Sequence, residues 1–186
     1  MITVIALDVA TRYTGYGMYR YVCDTTKAKL VQYGNIRGGK GGLLERSIRI
    51  ASSVFTLRQS LERMDRDNMF MVMEYPTFYG GAKGHTASVH GDTIKLGFVC
   101  GTIYGMIQTL CGYSIGTTLY TYPSWNGQLP KKVTTKRFFE KFGIYANPNT
   151  VDNNFVDACM MGVFHLGTLT PAVTNITADD AVREDL

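Results

Sequence analysis

The first hydrophobic run of the chain places the strongest constraint on its fold. Val4–Leu7 is a stretch of four apolar residues, and a single carboxylate, Asp8, follows it at once. A strand without polar residues has to be buried on both faces, and open α/β sheets bind their ligands at the carboxyl ends of such strands. Asp8 is therefore placed either to bind a ligand or to cap the next turn through its own backbone.

A second strand repeats this arrangement. Met69–Met73 is also wholly apolar, and it also ends in a carboxylate, Glu74. If the two strands are neighbours, Asp8 and Glu74 lie side by side, and two such charges repel each other unless a cation lies between them. Carboxylate oxygens are the ligands that Mg²⁺ prefers. The two strands together predict a divalent-cation site.

Apolar periodicity predicts an α/β fold in which helices flank a five-stranded mixed sheet. The first strand ends at Asp8, and the others are expected at 15–22, 29–36, 69–73 and 117–122, the last stopped by Pro123. The first three form an antiparallel meander. Helices are expected at 43–64, with Leu44, Ile48, Ala51, Phe55, Leu57 and Leu61 on its apolar side, at 92–112, from near Thr134, and at 151–166. The loop Gly38–Gly42 lacks the spacing and the Lys-Ser/Thr ending of a P-loop, so it is interpreted as a hinge.

Two helices carry unusual residues. The helix 151–166 is apolar nearly all round beyond Asp157, and a buried acid needs a partner, so Asp157 is a candidate site residue. Asp152 is a second candidate, although its place near the helix start is equally well explained by capping. In the helix 92–112, Gly97, Gly101 and Gly105 form a stripe that predicts close packing, either on the sheet or on a second subunit.

Length and composition indicate one globular domain. The chain has 186 residues, of which 45% are hydrophobic, and we expect a domain over 1–167 followed by an acidic, loosely ordered tail over 168–186. Neither a secretory signal nor an apolar run of membrane-spanning length is present, which favours a cytoplasmic protein. Cys23, Cys100, Cys111 and Cys159 lie scattered in apolar surroundings, as reduced core thiols do.

The charge distribution indicates a polyanionic partner. The net charge is +4, and because the acidic tail contributes −3, residues 1–167 carry +7. Basic residues concentrate after the only tryptophan, Trp125, and aromatic residues follow Glu74 in a glycine-rich loop, a combination that suits phosphate binding and base stacking. An ordinary solvated surface and a loop with buried aromatics are the alternatives. The predicted DNA contacts are Thr14, Tyr75, Phe78, Lys131, Lys132, Lys136 and Arg137.

The ordered set of motifs resembles one known family. Segment 8–17, Asp-Val-Ala-Thr-Arg-Tyr-Thr-Gly-Tyr-Gly, resembles the D-x-G-x-x-x-T-G-x-G opening of RuvC-type Holliday junction resolvases. The strand ending in Glu74, the Leu96-Gly97-x-x-x-Gly101 helix, a Pro-x-x-Trp...Leu-Pro-Lys stretch seen in phage-like members, and segment 152–158 follow in the family's order. Two positions depart from its pattern: Ala10 replaces a usual glycine, and Asn154 stands where many members carry an acid.

The resemblance implies an RNase H-like fold, a homodimer, and Mg²⁺-dependent nicking of branched DNA that leaves 5′-phosphate ends, with Mn²⁺ as a possible substitute. Asp8, Glu74 and Asp157, with Asp152 in doubt, would hold two metal ions, and Lys131 or Lys132 would neutralise phosphate charge. The dimer seam is expected to include the helix 92–112.

Two other functions compete with this hypothesis. Sugar kinases and actin-like ATPases open with a similar motif, but their nucleotide clamp needs a second, duplicated domain that 186 residues do not supply. A nuclease-like module that binds branched DNA without cutting it is the other alternative, and Asn154 motivates it. ATP hydrolysis, junction cleavage, or junction binding without cleavage would separate the three functions.

Overall fold

The computed structural model describes residues 1–21, 27–61, 68–76, 91–111, 115–127, 129–150, 153–169 and 175–186. Its centre is a mixed sheet of seven strands in the order β5-β4-β1-β2-β3-β6, with β7 also paired to β3. The strands are β1 (Ile2–Asp8), β2 (Tyr13–Tyr21), β3 (Lys27–Arg37), β4 (Met69–Glu74), β5 (Gly116–Tyr120), β6 (Asn175–Thr177) and β7 (Val182–Arg183). The helices are α1 (Leu43–Gln59), α2 (Asp92–Leu110), α3 (Tyr122–Asn126), α4 (Lys131–Phe142) and α5 (Asn154–Leu169).

The central strands follow the prediction from the sequence. β1, β2 and β3 form the expected antiparallel meander, and β4 pairs with β1 in parallel. The connection between β2 and β3, residues 22–26, lies outside the described residues. The apolar residues of β1 and β4 are almost wholly buried because both sheet faces are covered.

Helices cover the sheet on two sides. α1 and α2 pack together on one face over a core that includes Leu7, Val54 and Ile103. α5 crosses the other face, with α4 beside it, over a core that includes Phe138 and Val156. Cys100 and Cys159 are buried free thiols in these cores, and Cys111 is half-buried. Within the described ranges, no helix is long and apolar enough to cross a membrane.

The prediction of five strands was wrong in the C-terminal part. β6 and β7 pair with β3 in parallel, and Leu186 N donates to Asn35 O at 2.8 Å, so residues 175–186 extend the sheet instead of forming a loose tail. Strands of three and two residues are too short to show an alternating pattern.

Several helix assignments also differ from the prediction. α1 buries Ile50, Val54 and Leu57, whereas Leu44 and Ile48, which were assigned to its apolar side, are 57% and 43% exposed. β5 ends at Tyr120, and Pro123 lies in the first turn of the unpredicted α3, where proline is well tolerated because its missing N–H has no intrahelical partner. For the same reason Pro130 caps α4, which begins at residue 131 instead of 134. α5 is described from Asn154 to Leu169, three residues beyond the predicted end.

Candidate active site

Three elements bring three carboxylates to one edge of the sheet. Leu7 of β1 is in register with Met73 of β4, so the residues that follow them, Asp8 and Glu74, end adjacent parallel strands. α5 packs against β1, β2 and β4 and carries Asp157, which is 7% exposed. The structure thus brings together Asp8, Glu74 and Asp157, as the sequence predicted.

The pKa values of the three acids are all raised, as expected for buried carboxyl groups that lie close together. Burial, and then the charges of Glu74 and Asp157, raise the pKa of Asp8 well above its ordinary value. Burial raises the pKa of Glu74 to about 7, although a hydrogen bond from Trp125 opposes the rise. Burial also raises the pKa of Asp157, and Lys131 opposes that shift. Because ionising all three acids together is unfavourable, a cation near them would stabilise their charged forms.

Two neighbours hold the carboxylates in place. Trp125 Nε1 donates to Glu74 Oε2 at 2.9 Å, and the indole is nearly buried because α3 places it behind the site. Lys131 Nζ, at the first position of α4, lies 3.2 Å from Asp157 Oδ2. In the sequence, Trp125 stands out only as a neighbour of basic residues. Its bond to Glu74 was missed because only tertiary structure joins residues 51 positions apart.

One oxygen in the site has no hydrogen-bonding partner among the described residues. Asp157 Oδ1 is buried and accepts no hydrogen bond there, and such an atom destabilises the fold unless a cation or proton satisfies it. Across the described ranges, no three acidic, histidine or cysteine side chains are arranged to hold a metal ion. The three carboxylates therefore interact through their charges without converging on one point.

The departure at Asn154 has a structural explanation. Asn154 Nδ2 donates to Tyr13 O at 2.7 Å, so its amide ties the start of α5 to the start of β2. Asp152 lies outside the described residues. The other departure, Ala10, has no positive φ and needs no glycine.

The predicted DNA contacts divide into three groups. Thr14 is fully buried, and its hydroxyl bonds both the N–H and the carbonyl of Ala10, so its side chain closes the turn after β1 and is not available to DNA. Tyr75 is 45% exposed directly after Glu74, whereas Phe78 lies outside the described residues. The four basic residues predicted to contact DNA, Lys131, Lys132, Lys136 and Arg137, are all exposed on α4, and Lys131 reaches Asp157.

Comparison with solved structures identifies the fold. The chain is similar to Thermus thermophilus RuvC in complex with a Holliday junction substrate (TM-score 0.63, 16% identity, covering 91% of this chain and 98% of that one). It is also similar to fowlpox virus resolvase in complex with Holliday junction DNA (0.53, 15%, 90% and 99%) and to the yeast mitochondrial Holliday junction resolvase (0.55, 11%, 88% and 78%). No protein-family model and no curated protein matches the sequence. The similarity confirms the predicted RuvC-type, RNase H-like fold.

Proposed function

We propose that this protein is a structure-selective DNA endonuclease that resolves Holliday junctions and related branched DNA. The observation that carries the proposal is the placement of Asp8, Glu74 and Asp157 at one sheet edge, in a fold whose solved examples include resolvases bound to junction DNA. Since the proposed substrate is intracellular DNA, the proposal also places the enzyme in the cytoplasm.

The carboxylates fit a divalent metal by their chemistry. They are hard oxygen donors, burial and then their mutual repulsion raise the pKa of Asp8, and Asp157 Oδ1 is buried without a hydrogen bond from the described residues. We assign Asp8, Glu74 and Asp157 as ligands of Mg²⁺, or of Mn²⁺ in its place, and Asp152 as a further candidate. When bound, the metal would supply an activated water and stabilise the leaving oxygen, in the two-metal manner that yields a 5′-phosphate and a 3′-hydroxyl.

The remaining steps belong to the protein's own residues. Trp125 fixes the carboxylate of Glu74 by donating a hydrogen bond to Oε2. Lys131 neutralises Asp157 in the free protein, and its mobile ammonium group is placed to neutralise a phosphate oxygen when DNA arrives. Tyr75 is exposed beside Glu74, where it can stack on bases opened at the junction.

Cleavage of a panel of DNAs tests the proposal. Four-way junctions, forks, flaps and linear duplex are incubated with the protein and Mg²⁺ or Mn²⁺, and we expect the branched DNAs to be cut and the linear duplex to survive.

Asp8→Asn, Glu74→Gln and Asp157→Asn should abolish cleavage and preserve folding and junction binding. Glu140→Gln is the matched control, because Glu140 is an exposed carboxylate paired with Lys136 on α4. Cleavage by Glu74→Gln at the wild-type rate would contradict the metal assignment, and junction binding without cleavage by the wild type would favour the non-catalytic alternative.

We further propose a homodimer that forms through α2. Ile94, Phe98, Gly101 and Gly105 follow one another at helical spacing, and Ile94 and Phe98 are 73% and 44% exposed. A Cβ atom added at Gly97, Gly101 or Gly105 meets no atom of the described residues within 4 Å, so packing on the described sheet does not explain the glycine stripe. A two-fold dimer would present two sites to the two symmetric strands of a junction.

Sedimentation of a helix variant tests the dimer. Gly101→Leu or Phe98→Glu should give folded monomers that fail to cut both strands in one encounter. Leu44→Glu is the control, since Leu44 is an equally exposed apolar residue on α1. Wild-type protein that sediments as a monomer, both free and on a junction, would exclude the dimer.

A further inference from the structure

A basic cavity lies beside the carboxylate edge and has no part in the site described above. It has a volume of about 490 Å³, and Arg12, Arg37, Lys40 and Arg46 line it together with Tyr13. No acidic residue belongs to this lining. Four cations that face one cavity repel one another, so their arrangement favours a bound polyanion.

The loop Gly38–Gly42 forms one wall of the cavity and is held in a defined shape. Arg49 Nε donates to Gly38 O at 2.7 Å and its Nη2 donates to Lys40 O, while Arg46 Nη1 donates to Gly41 O at 2.7 Å. Gly41 has a φ of 118°, and a Cβ there would lie 2.1 Å from Glu45 Oε2, so this position requires glycine. The loop is thus fastened to α1 by two arginines, and the interpretation as a free hinge does not hold.

The position of the cavity relative to the carboxylates follows from the sheet register. Asp8 of β1 is in register with Gly15 of β2, which in turn is in register with Asn35 of β3. Tyr13 and Arg37, which line the cavity, pair with each other two residues further along β2 and β3. β3 lies two strands from β1, which is roughly 10 Å. That distance is about a third of the 34–36 Å turn of duplex DNA. The cavity therefore lies within one helical turn of a duplex that has a phosphate at Asp8.

The cavity and the basic residues of α4 flank the carboxylates from opposite sides. Arg46 belongs to α1, which covers one face of the sheet, and Lys131 belongs to α4, which lies on the other. Phosphate contacts on both flanks would fix the direction in which a duplex crosses the edge.

We propose that the cavity between Arg12, Arg37, Lys40 and Arg46 is a second phosphate-binding site, which holds the backbone of a DNA arm beside the cleavage site. This inference rests on the proposed nuclease function. It assigns the arm contact to the β1–β2 turn and the 38–42 loop, which the sequence did not single out as DNA-binding. The contact is independent of base sequence because it is made to phosphates.

The salt dependence of junction binding tests this site. The double variant Arg12→Gln/Arg37→Gln and the wild type are titrated with a four-way junction over a range of salt concentrations, without divalent cations. Each lost phosphate contact should flatten the slope of log K against log [salt] by about 0.9, so the double variant should lose, for each subunit bound, about 1.8 in slope and on the order of 60-fold in affinity at 0.1 M salt. Arg46 and Arg49 are retained because they hold the loop.

Lys27→Gln is the matched control. Lys27 is an exposed cation at the opposite end of β3 from Arg37, about 34 Å away, so its loss removes one positive charge without touching the cavity. Its salt slope should equal that of the wild type. Thermal unfolding verifies that each variant is folded, and Lys40→Ala, which keeps the backbone bond to Arg49, gives a single-contact test if the double variant does not fold.

The outcomes separate the two proposals. If wild-type protein cuts junctions but the double variant binds them with an unchanged slope and an affinity within twofold, the second phosphate site is excluded and the nuclease function stands. If the double variant binds free inorganic phosphate more weakly but binds junction DNA as the wild type does, DNA is likewise excluded as the occupant of the cavity. If the wild type neither binds nor cuts branched DNA, both proposals fall.

Discussion

Gly162 on α5 and the three glycines on α2 differ in what surrounds them. On α5, a Cβ at Gly162 would lie 2.4 Å from the ring of Tyr19, and the facing strand offers Gly15, where a Cβ would lie 2.2 Å from the backbone of Asn154. On α2, a Cβ added at any of the three glycines would meet no described residue within 4 Å. Glycines on and opposite α5 let the helix touch the sheet and fix Asp157 beside Asp8, whereas those on α2 leave a face uncovered.

The largest expected effect comes from filling the contact between β2 and α5. Gly15→Val should destabilise the protein by at least about 3 kcal/mol, because backbone atoms of Asn154 cannot move aside as a flexible side chain would. Gly101→Val on α2 is the matched control and should change the free energy of unfolding by less than about 0.5 kcal/mol. Urea denaturation at low protein concentration measures both. Equal stability of the two variants would contradict the contrast between the helices.

A smaller effect is expected within α5 itself. Gly162→Ala should cost about 1–3 kcal/mol, since the methyl group overlaps Tyr19, whose hydroxyl is held by Cys159 O at 2.7 Å. Combining it with Tyr19→Leu should cost less than the sum of the two single changes, because the smaller side chain makes room. Additive costs in this double-mutant cycle would show that the overlap is not the cause.

The buried acids around α5 should also make stability depend on pH. The pKa of Glu74 is raised to about 7 in the folded protein, so the native state binds more protons than the unfolded state between pH 4.5 and 7. Stability should therefore fall as pH rises through this window, by at most about 1.4 kcal/mol per pH unit for this one group. Asp8 and Asp157, whose pKa values are also raised, act in the same direction.

Urea titrations in a chelator between pH 4.5 and 7.5 measure this dependence. Glu74→Gln should flatten the curve, and Glu140→Gln, on the exposed surface of α4, should leave it unchanged. Mg²⁺ should stabilise the wild type more at pH 7.5 than at pH 5, because protons compete with the metal for the carboxylates. If the pH dependence of stability is undiminished in Glu74→Gln, it arises from groups other than Glu74.

The sequence predicted the parts of this molecule that depend on local pattern. Apolar strands that end in Asp8 and Glu74 are visible in the sequence because burial on both faces demands uninterrupted apolar residues. Asp157 was found because an acid is conspicuous in an apolar helix. These three residues make up the candidate site.

The sequence did not predict what depends on distant partners. The bond from Trp125 to Glu74 and the pairing of β6 with β3 join residues far apart in the chain, and no local pattern encodes them. Pro123 was misinterpreted because proline both ends strands and begins helices. The glycines of α2 could equally have packed inwards, since a glycine does not reveal which neighbour it faces.

The smallest expected effect has the opposite sign to that of Gly162→Ala and probes the uncovered face of α2. Gly105 lies exposed within the helix, and alanine there should stabilise the isolated subunit by about 0.5–1 kcal/mol, because glycine loses more backbone entropy on folding. If α2 forms the dimer seam, the added methyl group should also hold two helices apart and weaken association. Thermal unfolding at a low concentration, where monomers prevail, should therefore show a raised midpoint, and sedimentation should show a larger dissociation constant. A raised midpoint with unchanged association would place the seam elsewhere, and a lowered midpoint at low concentration would mean that Gly105 packs within its own subunit.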